Sequence, residues 1–411
     1  MIFILRDKGY TEVNRGIGII LIVNRGLQPS VDNIILRPNI MKTLLITDSD
    51  FAATDKNFEY LLGFQPSLGA MIVGKRKISI FLDARYFENT KTINELSLRN
   101  KIGTPGYIIE YIQIKTDLID LLASKLDSKK EINISSNIAL KYYKSLQKNV
   151  LLKDTKINIV DNIFANNRLI KKPKEIIKLT KAIEIIDNVY SHISELNGNG
   201  ELFGKTELEV RAIIIAKIME FGGTGESFEA IVGFGTNSAI PHHLAGDTVI
   251  RSGVLLIDMG ALYKGYCSDF TRTFWVNSPD SISLRHSSSQ ADEEVTQEEF
   301  TKIYNIVKHA HETAFEKTRS GMTGADVDAF TRDYIVSAGY GNFFTHSTGH
   351  GIGLDVHEQP WISKNKDNVL EDGMVFTIEP GIYLPGKFGV RLEDIVFMKD
   401  GKLEKVSKIE L

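Results

Sequence analysis

Apolar and polar positions along this chain fall into two regimes that meet near Arg168. From Lys42 to about Asp161, short apolar runs alternate with stretches of helical periodicity. Leu44–Thr47 reads as a strand, and Ala70–Val73 with Ile78–Leu82 reads as a hairpin around the polar turn Gly74–Lys77. Leu118, Leu121, Leu122 and Leu126 recur at helical spacing behind Thr116 and Asp117, while Ile132–Ile134 and Ile157–Val160 predict further strands. An α/β domain is expected here. Its titratable groups are dispersed, which suits a scaffold, a lid or an oligomerisation surface better than a reaction centre.

Beyond Arg168 the helices are longer and carry explicit start signals. Pro173 stands where a helix N-terminus tolerates proline, ahead of a periodic segment through Ser194. Thr206 with Glu209 forms a capping-box pattern before Ile213, Ile214, Ile218 and Met219, and Gly222–Gly223 ends that run. Thr323 with Asp326 repeats the device, and Val327, Phe330, Tyr334 and Ile335 trace one face as far as Gly339. Strand-like runs lie between and after these helices: Phe228–Val232, Val254–Met259, Tyr266–Phe274, Val375–Ile378 and Val390–Met398. The expected class is α+β, with antiparallel strands covered by helices. Ser278–Glu299, rich in serine and acids, reads as a solvated loop.

Composition narrows the function. A chain of 411 residues with 43% hydrophobic and 25% charged residues has the makings of two or three soluble domains. A net charge of −3 argues against nucleic-acid binding by bulk charge. The one cysteine, Cys267, excludes an intramolecular disulfide and a cysteine-rich zinc site, which fits a reducing, cytoplasmic setting. Before Met41, Arg6, Lys8 and the apolar run Ile17–Val23 hint at an export signal. That run is shorter than the roughly 20 apolar residues of a membrane span and lacks a clear small-residue cleavage site. Residues 1–40 are therefore expected to be an extension and no membrane anchor.

The candidate chemistry lies in the second half. Asp258 closes the apolar run Val254–Ile257, and Asp269 follows eleven residues later, a separation that suits two paired strands joined by a turn. An aspartate in an apolar strand is costly without a partner, and a metal is one such partner. Taken alone, the pair reads equally well as a turn cap and a solvent-facing acid. Three of the nine histidines, His346, His350 and His357, fall among glycines within twelve positions. Glu379 and Glu393 each stand in an otherwise apolar strand, where unpartnered acids are rare. Asp258, Asp269, His350, Glu379 and Glu393 together compose two metal sites of mostly oxygen ligands, a set that suits manganese and, less selectively, cobalt, zinc or iron. Gly233–Gly235 and Gly349–Gly353 fit neither a Rossmann nor a P-loop fingerprint.

Phe228–His242, Ile257–Gly260, Gly265–Phe274, His350–Glu358, Glu379–Tyr383 and Gly389–Asp394 together resemble the pita-bread metallopeptidases, the family of Xaa-Pro aminopeptidase, Xaa-Pro dipeptidase (prolidase), methionine aminopeptidase and creatinase. Tyr60–Phe64 and Asp83–Tyr86 resemble the amino-terminal domain of the proline-directed and creatinase branches. The resemblance implies a pita-bread catalytic domain over residues 166–411, preceded by a smaller creatinase-like domain over 41–165. It implies that Asp269 and Glu393 bridge two divalent cations, that Asp258 chelates one, and that His350 and Glu379 complete the other. It further implies catalytic roles for Glu379, His357 and His242, with His346, Arg391 and Tyr383 contacting substrate or bracing the site. The expected activity is release of the first residue from peptides with proline second, by a homo-oligomer, a dimer by family precedent. The alternatives are a dipeptidase, a creatinase-like hydrolase and an inactive binding module; the last two are disfavoured by five intact ligand positions.

Overall fold

The computed structural model describes residues 42–51, 54–103, 106–126, 131–161, 163–278 and 295–411. The expected extension 1–40 and most of the expected loop 278–299 lie outside them. Among the described residues two compact units are formed, one from residues 42–54 with Pro66–Asp161, the other from Asp55–Gln65 with residues 163–411.

In the first unit, a six-stranded sheet runs in the order Ile108–Gln113, Lys77–Leu82, Leu68–Val73, Lys42–Asp48, Ile132–Ser135, Ile157–Val160. The hairpin Leu68–Val73/Lys77–Leu82 is antiparallel as its turn residues predict, and Lys42–Asp48 pairs antiparallel beside it. The outer pairings are parallel. Leu44, Ile46, Ala70, Ile72 and Phe81 pack with Leu118, Leu122 and Leu146 into its core. Leu118–Lys125 is the predicted helix, begun by Asp117, whose carboxylate accepts from the N–H groups of Ile119 and Asp120.

The second unit takes in one stretch of sequence that the expected division placed in the first domain. Helix Asn57–Leu62 belongs here: Tyr60 is buried and its hydroxyl donates to the Asn167 carbonyl at 2.9 Å. Helices Pro173–Gly198, Glu207–Glu220 and Gly324–Ser337 begin where the capping signals place them. Thr206 Oγ1 accepts from Glu209 N while Glu209 accepts from Thr206 N, and Thr323 and Asp326 exchange the same pair of bonds. Strand Gly253–Met259 pairs antiparallel with Ile231–Phe234 on one side and Phe270–Val276 on the other. Helical Ile185, Val189, Val210 and Ile214 pack onto this sheet through Val232, Leu255 and Ile257. A five-stranded antiparallel sheet runs Glu358–Ile362, Gly349–Gly351, Val375–Ile378, Asp394–Lys399, Lys402–Lys405.

Four expectations are corrected. A helix, Gln297–Lys317, begins inside the expected loop, capped by Thr296, whose hydroxyl accepts from Glu299 N at 3.1 Å. It buries Phe300, Ile303, Val307, Ala310 and Ala314. The strand expected over Phe228–Val232 is Ile231–Phe234. Tyr266–Phe274 is broken at Ser268–Asp269, and Val390–Met398 is broken at Leu392–Glu393. Both breaks fall at acids singled out above. Leaving the ladder frees Asp269 and Glu393 from the up-and-down alternation of a pleated strand. Among the described residues, no helix is long and apolar enough to cross a membrane.

Candidate metal centre

The acids converge because the strands bearing them do. Asp258 stands one residue from the end of Gly253–Met259, opposite Thr271 across the ladder. Asp269 sits in the break just before Phe270, and Glu393 in the break before Asp394. The Glu393 N–H donates to the Thr271 carbonyl at 3.1 Å, and Thr271 Oγ1 donates to Glu393 Oε2 at 2.7 Å. These bonds hold one broken strand against its neighbour. His350 occupies the centre of Gly349–Gly351, a strand with no spare room. A Cβ at Gly349 would lie 2.0 Å from the Thr377 carbonyl, and one at Gly351 would lie 2.1 Å from that of Gln359. Glu379 follows Val375–Ile378, and its N–H donates to the Thr348 carbonyl at 2.8 Å.

Ligand atoms of Asp258, Asp269 and Glu393 lie within 4.8 Å of one another, as do those of His350, Glu379 and Glu393. Glu393 belongs to both groups, so its carboxylate is common to them. A third group joins Asp269, His350 and His357 on the same criterion. The first two fit a pair of cations on two grounds. Asp258 Oδ1 and Glu393 Oε1 are buried and take no hydrogen bond, a costly state for carboxylate oxygens without a counter-charge. The His350 Nδ1–H donates to the Gly351 carbonyl at 3.1 Å, which leaves Nε2, 3.1 Å from Glu379 Oε1 and 3.7 Å from Asp269 Oδ2, as the coordinating atom.

The electrostatics report the same imbalance. Burial, then the charges of Glu393, Asp258 and Glu379, push Asp269 well above the ordinary carboxylate range. Burial, then Glu379 and Asp258, do the same to Glu393. For Glu379, burial opposes ionisation, but the hydrogen bond and charge of His350, with His346 and Arg391, hold the carboxyl down at about 2. Burial lowers His350, yet its bond to Glu379 leaves it raised. Protons stand in for missing positive charge.

Around the acids runs a relay of donors. Arg391 donates from Nη2 to Asp258 Oδ2 at 2.6 Å, from Nε to Thr271 Oγ1 at 3.1 Å and from Nη1 to the Tyr383 hydroxyl at 2.7 Å. Tyr383 bonds His346 Nε2 at 2.8 Å, and His346 Nδ1 bonds the Ser347 carbonyl at 2.7 Å. Burial keeps His346 neutral at physiological pH, which matches one ring nitrogen accepting and the other donating. His357 stands edge-on to His350 with ring centroids 4.3 Å apart. His357 and His242 are exposed in a cleft of about 540 Å³ that His346, Arg391 and all five acid and histidine ligand candidates also line. Tyr383 lies behind the wall of that cleft, reached through Arg391 and His346.

Sequence reasoning missed residues that hold these parts. Glu207, fully buried, accepts from Phe234 N, Asn237 Nδ2 and Gly246 N and bonds His243 Nε2 at 2.8 Å. It thereby anchors the loop that presents His242. The signal was its burial-prone place directly after the capping Thr206, yet a glutamate there reads as ordinary first-turn charge.

Fold and site define a metal-dependent hydrolase, and the comparisons with known proteins say which. The profile of metallopeptidase family M24 matches residues 177–400. A putative Xaa-Pro aminopeptidase of Mycoplasma pneumoniae is 33% identical over 86% of this chain and 91% of its own. An Xaa-Pro dipeptidase of Pyrococcus horikoshii is 32% identical over 88% and 93%. The solved structure of an Xaa-Pro dipeptidase from Bacillus anthracis superposes with a TM-score of 0.76 at 32% identity, covering 92% of this chain and 96% of that one. The chain belongs to metallopeptidase family M24. Its fold is the pita-bread catalytic domain preceded by an amino-terminal domain; the relatives named above are Xaa-Pro peptidases of both kinds, and the family's metallopeptidases depend on a dinuclear metal centre.

Proposed function

We propose that this chain is an Xaa-Pro aminopeptidase that holds two manganese ions through Asp258, Asp269, His350, Glu379 and Glu393. The observation that carries this reading is the pair of three-residue groups sharing Glu393, with two orphaned carboxylate oxygens inside them. When bound, such a cation pair lowers the pKa of a water and offsets charge developing on a peptide carbonyl. The chain's own residues do the rest. Glu379, kept ionised, accepts a proton at its carboxylate at the edge of the cleft. His357, kept uncharged near neutral pH by burial and by neighbouring His350, donates a hydrogen bond to the carbonyl oxygen, and His242 assists the departing nitrogen. Arg391, Tyr383 and His346 hold Asp258 in register.

The choice of aminopeptidase over dipeptidase is supported by the cleft's charges. Recognition of a free proline carboxylate calls for a cation aimed at it. Arg391 is the only arginine or lysine among the described residues lining the cleft, and its guanidinium is committed to Asp258, Thr271 and Tyr383. The relatives carry both names, so substrate length decides. Manganese-loaded protein should release the first residue from Xaa-Pro-Yaa and longer peptides and leave Xaa-Pro dipeptides nearly untouched. Cleavage confined to dipeptides assigns a prolidase instead. Preference for amino-terminal methionine without proline overturns both.

A further inference from the structure

We infer that Arg272 is a positioning residue tying the segment Ser407–Glu410 to the backbone that carries Glu393, so that docking of this segment sets how tightly the cleft holds its cations. The inference rests on the ligand assignment proposed above. Successive residues of a strand face opposite ways. Thr271 turns its hydroxyl to Glu393, and Arg272 turns away from the cleft into the interior, where it is 1% exposed.

A guanidinium has five N–H donors in a fixed planar fork, and each finds an acceptor. Nη1 donates to the carbonyls of Thr271 at 3.0 Å and Glu393 at 2.7 Å. Nη2 donates to Asp394 Oδ1 at 2.8 Å and the Ile409 carbonyl at 3.1 Å, and Nε donates to the Glu410 carbonyl at 3.3 Å. Three of these acceptors lie at the break where Glu393 leaves its strand or directly across from it, and two belong to the segment. The break removes the ladder partner that the Glu393 carbonyl would otherwise have, and a buried carbonyl needs a donor. Arg272 supplies it, and the segment holds Arg272.

The segment is fastened in turn from a helix outside the cleft. Asp187, buried on Pro173–Gly198, accepts from Ser407 Oγ at 2.6 Å and from Lys408 N at 2.8 Å. Lys405 Nζ donates to the Ile409 carbonyl at 2.5 Å. Releasing the segment strips two of the five acceptors from Arg272 and loosens the other three.

The test titrates Mn2+ into metal-stripped, full-length protein by calorimetry, comparing Asp187→Ala and Arg272→Lys with the wild type. Folding of each is checked by circular dichroism. Residues that orient metal ligands typically change metal affinity by about 10- to 100-fold. Asp187→Ala should weaken binding by about tenfold and Arg272→Lys by about a hundredfold, at the low and high ends of that range. In both, kcat should recover at saturating Mn2+, which a general loss of fold would not allow. Variants that lose thermal stability yet bind Mn2+ as the wild type does overturn the inference. Asp187→Ala decides alone if Arg272→Lys does not fold. A wild-type chain that takes up no Mn2+ overturns the ligand assignment itself, and this inference with it.

Discussion

Two clusters of acids lie in the catalytic unit, one left with excess negative charge and one neutralised by its own cations. In the cleft, Asp258, Asp269, Glu379 and Glu393 face one guanidinium, Arg391, and imidazoles of which His350 bonds Glu379 directly. Beside it, Glu358 and Asp355 meet two full cations. Arg168 bonds both acids, 2.6 Å from Asp355, and Lys171 Nζ lies 2.7 Å from the other oxygen of Glu358. Burial raises Glu358, but Lys171 and Arg168 more than offset it and hold it below the ordinary range. In the cleft, burial and the neighbouring acids push Asp269 and Glu393 the other way. A buried acid is thus no functional signal by itself. The signal is a group of acids that the chain leaves unneutralised.

The sharpest way to break this contrast is to remove acids from each side. Asp269→Ala or Glu393→Ala should lose manganese and turnover together, by about a thousandfold or more, because the cations and the group that binds them act as one unit. Metal content by mass spectrometry beside peptidase assays checks this, and a variant with near-normal turnover sinks the dinuclear assignment. Glu358→Gln should do the reverse. It leaves Arg168 and Lys171 buried without their shared partner, a loss of about 3–5 kcal/mol of stability. The remaining folded protein should still bind manganese normally, and denaturant unfolding with metal analysis separates the two effects.

The smallest effect is in pH. Above about pH 7, His346 and His357 have lost their protons in both the folded and the unfolded chain. In the metal-free fold Asp269, Glu393 and His350 are raised above their values in the unfolded chain, so between the unfolded and folded values each binds more of its proton when folded. The folded state then binds more protons, so stability falls as pH rises through the raised folded values. Glu358 is depressed, so its contribution is complete above the ordinary carboxylate pKa and adds no slope there. Metal-stripped protein should therefore melt a few degrees lower at pH 8.5 than at pH 7, and manganese-loaded protein should not. A flat profile for the stripped protein means the cleft is neutralised by something within the chain.

What the sequence disclosed and withheld follows one physical division. Capping at Thr206 and Thr323 was legible because it is settled within three residues. Helix Gln297–Lys317 carried the same signal at Thr296 and Glu299, hidden behind the polar run preceding it. The ligand candidates were legible as acids placed where acids are costly, with the resemblance supplying roles. The strand breaks at Asp269 and Glu393 were not, because an apolar pattern with period two continues through them. Arg168 meets Glu358 across 190 positions and Arg272 meets Glu410 across 138. No local pattern encodes such partners, and an arginine within an apolar run was the only trace of the second.

The course of the chain bears on how this gene could be taken apart. It enters the catalytic unit at Asp55, leaves at Gln65 and returns at Asn162. The brief first visit delivers Tyr60 to Asn167 and sets Glu59 against Gly265, where an added Cβ would lie 1.8 Å from its carboxylate. A fragment starting at residue 166 would omit that visit, leaving an unfilled seat for a large aromatic. The catalytic unit is not one continuous stretch of sequence, so shuffling or grafting it requires carrying the eleven residues Asp55–Gln65 with it.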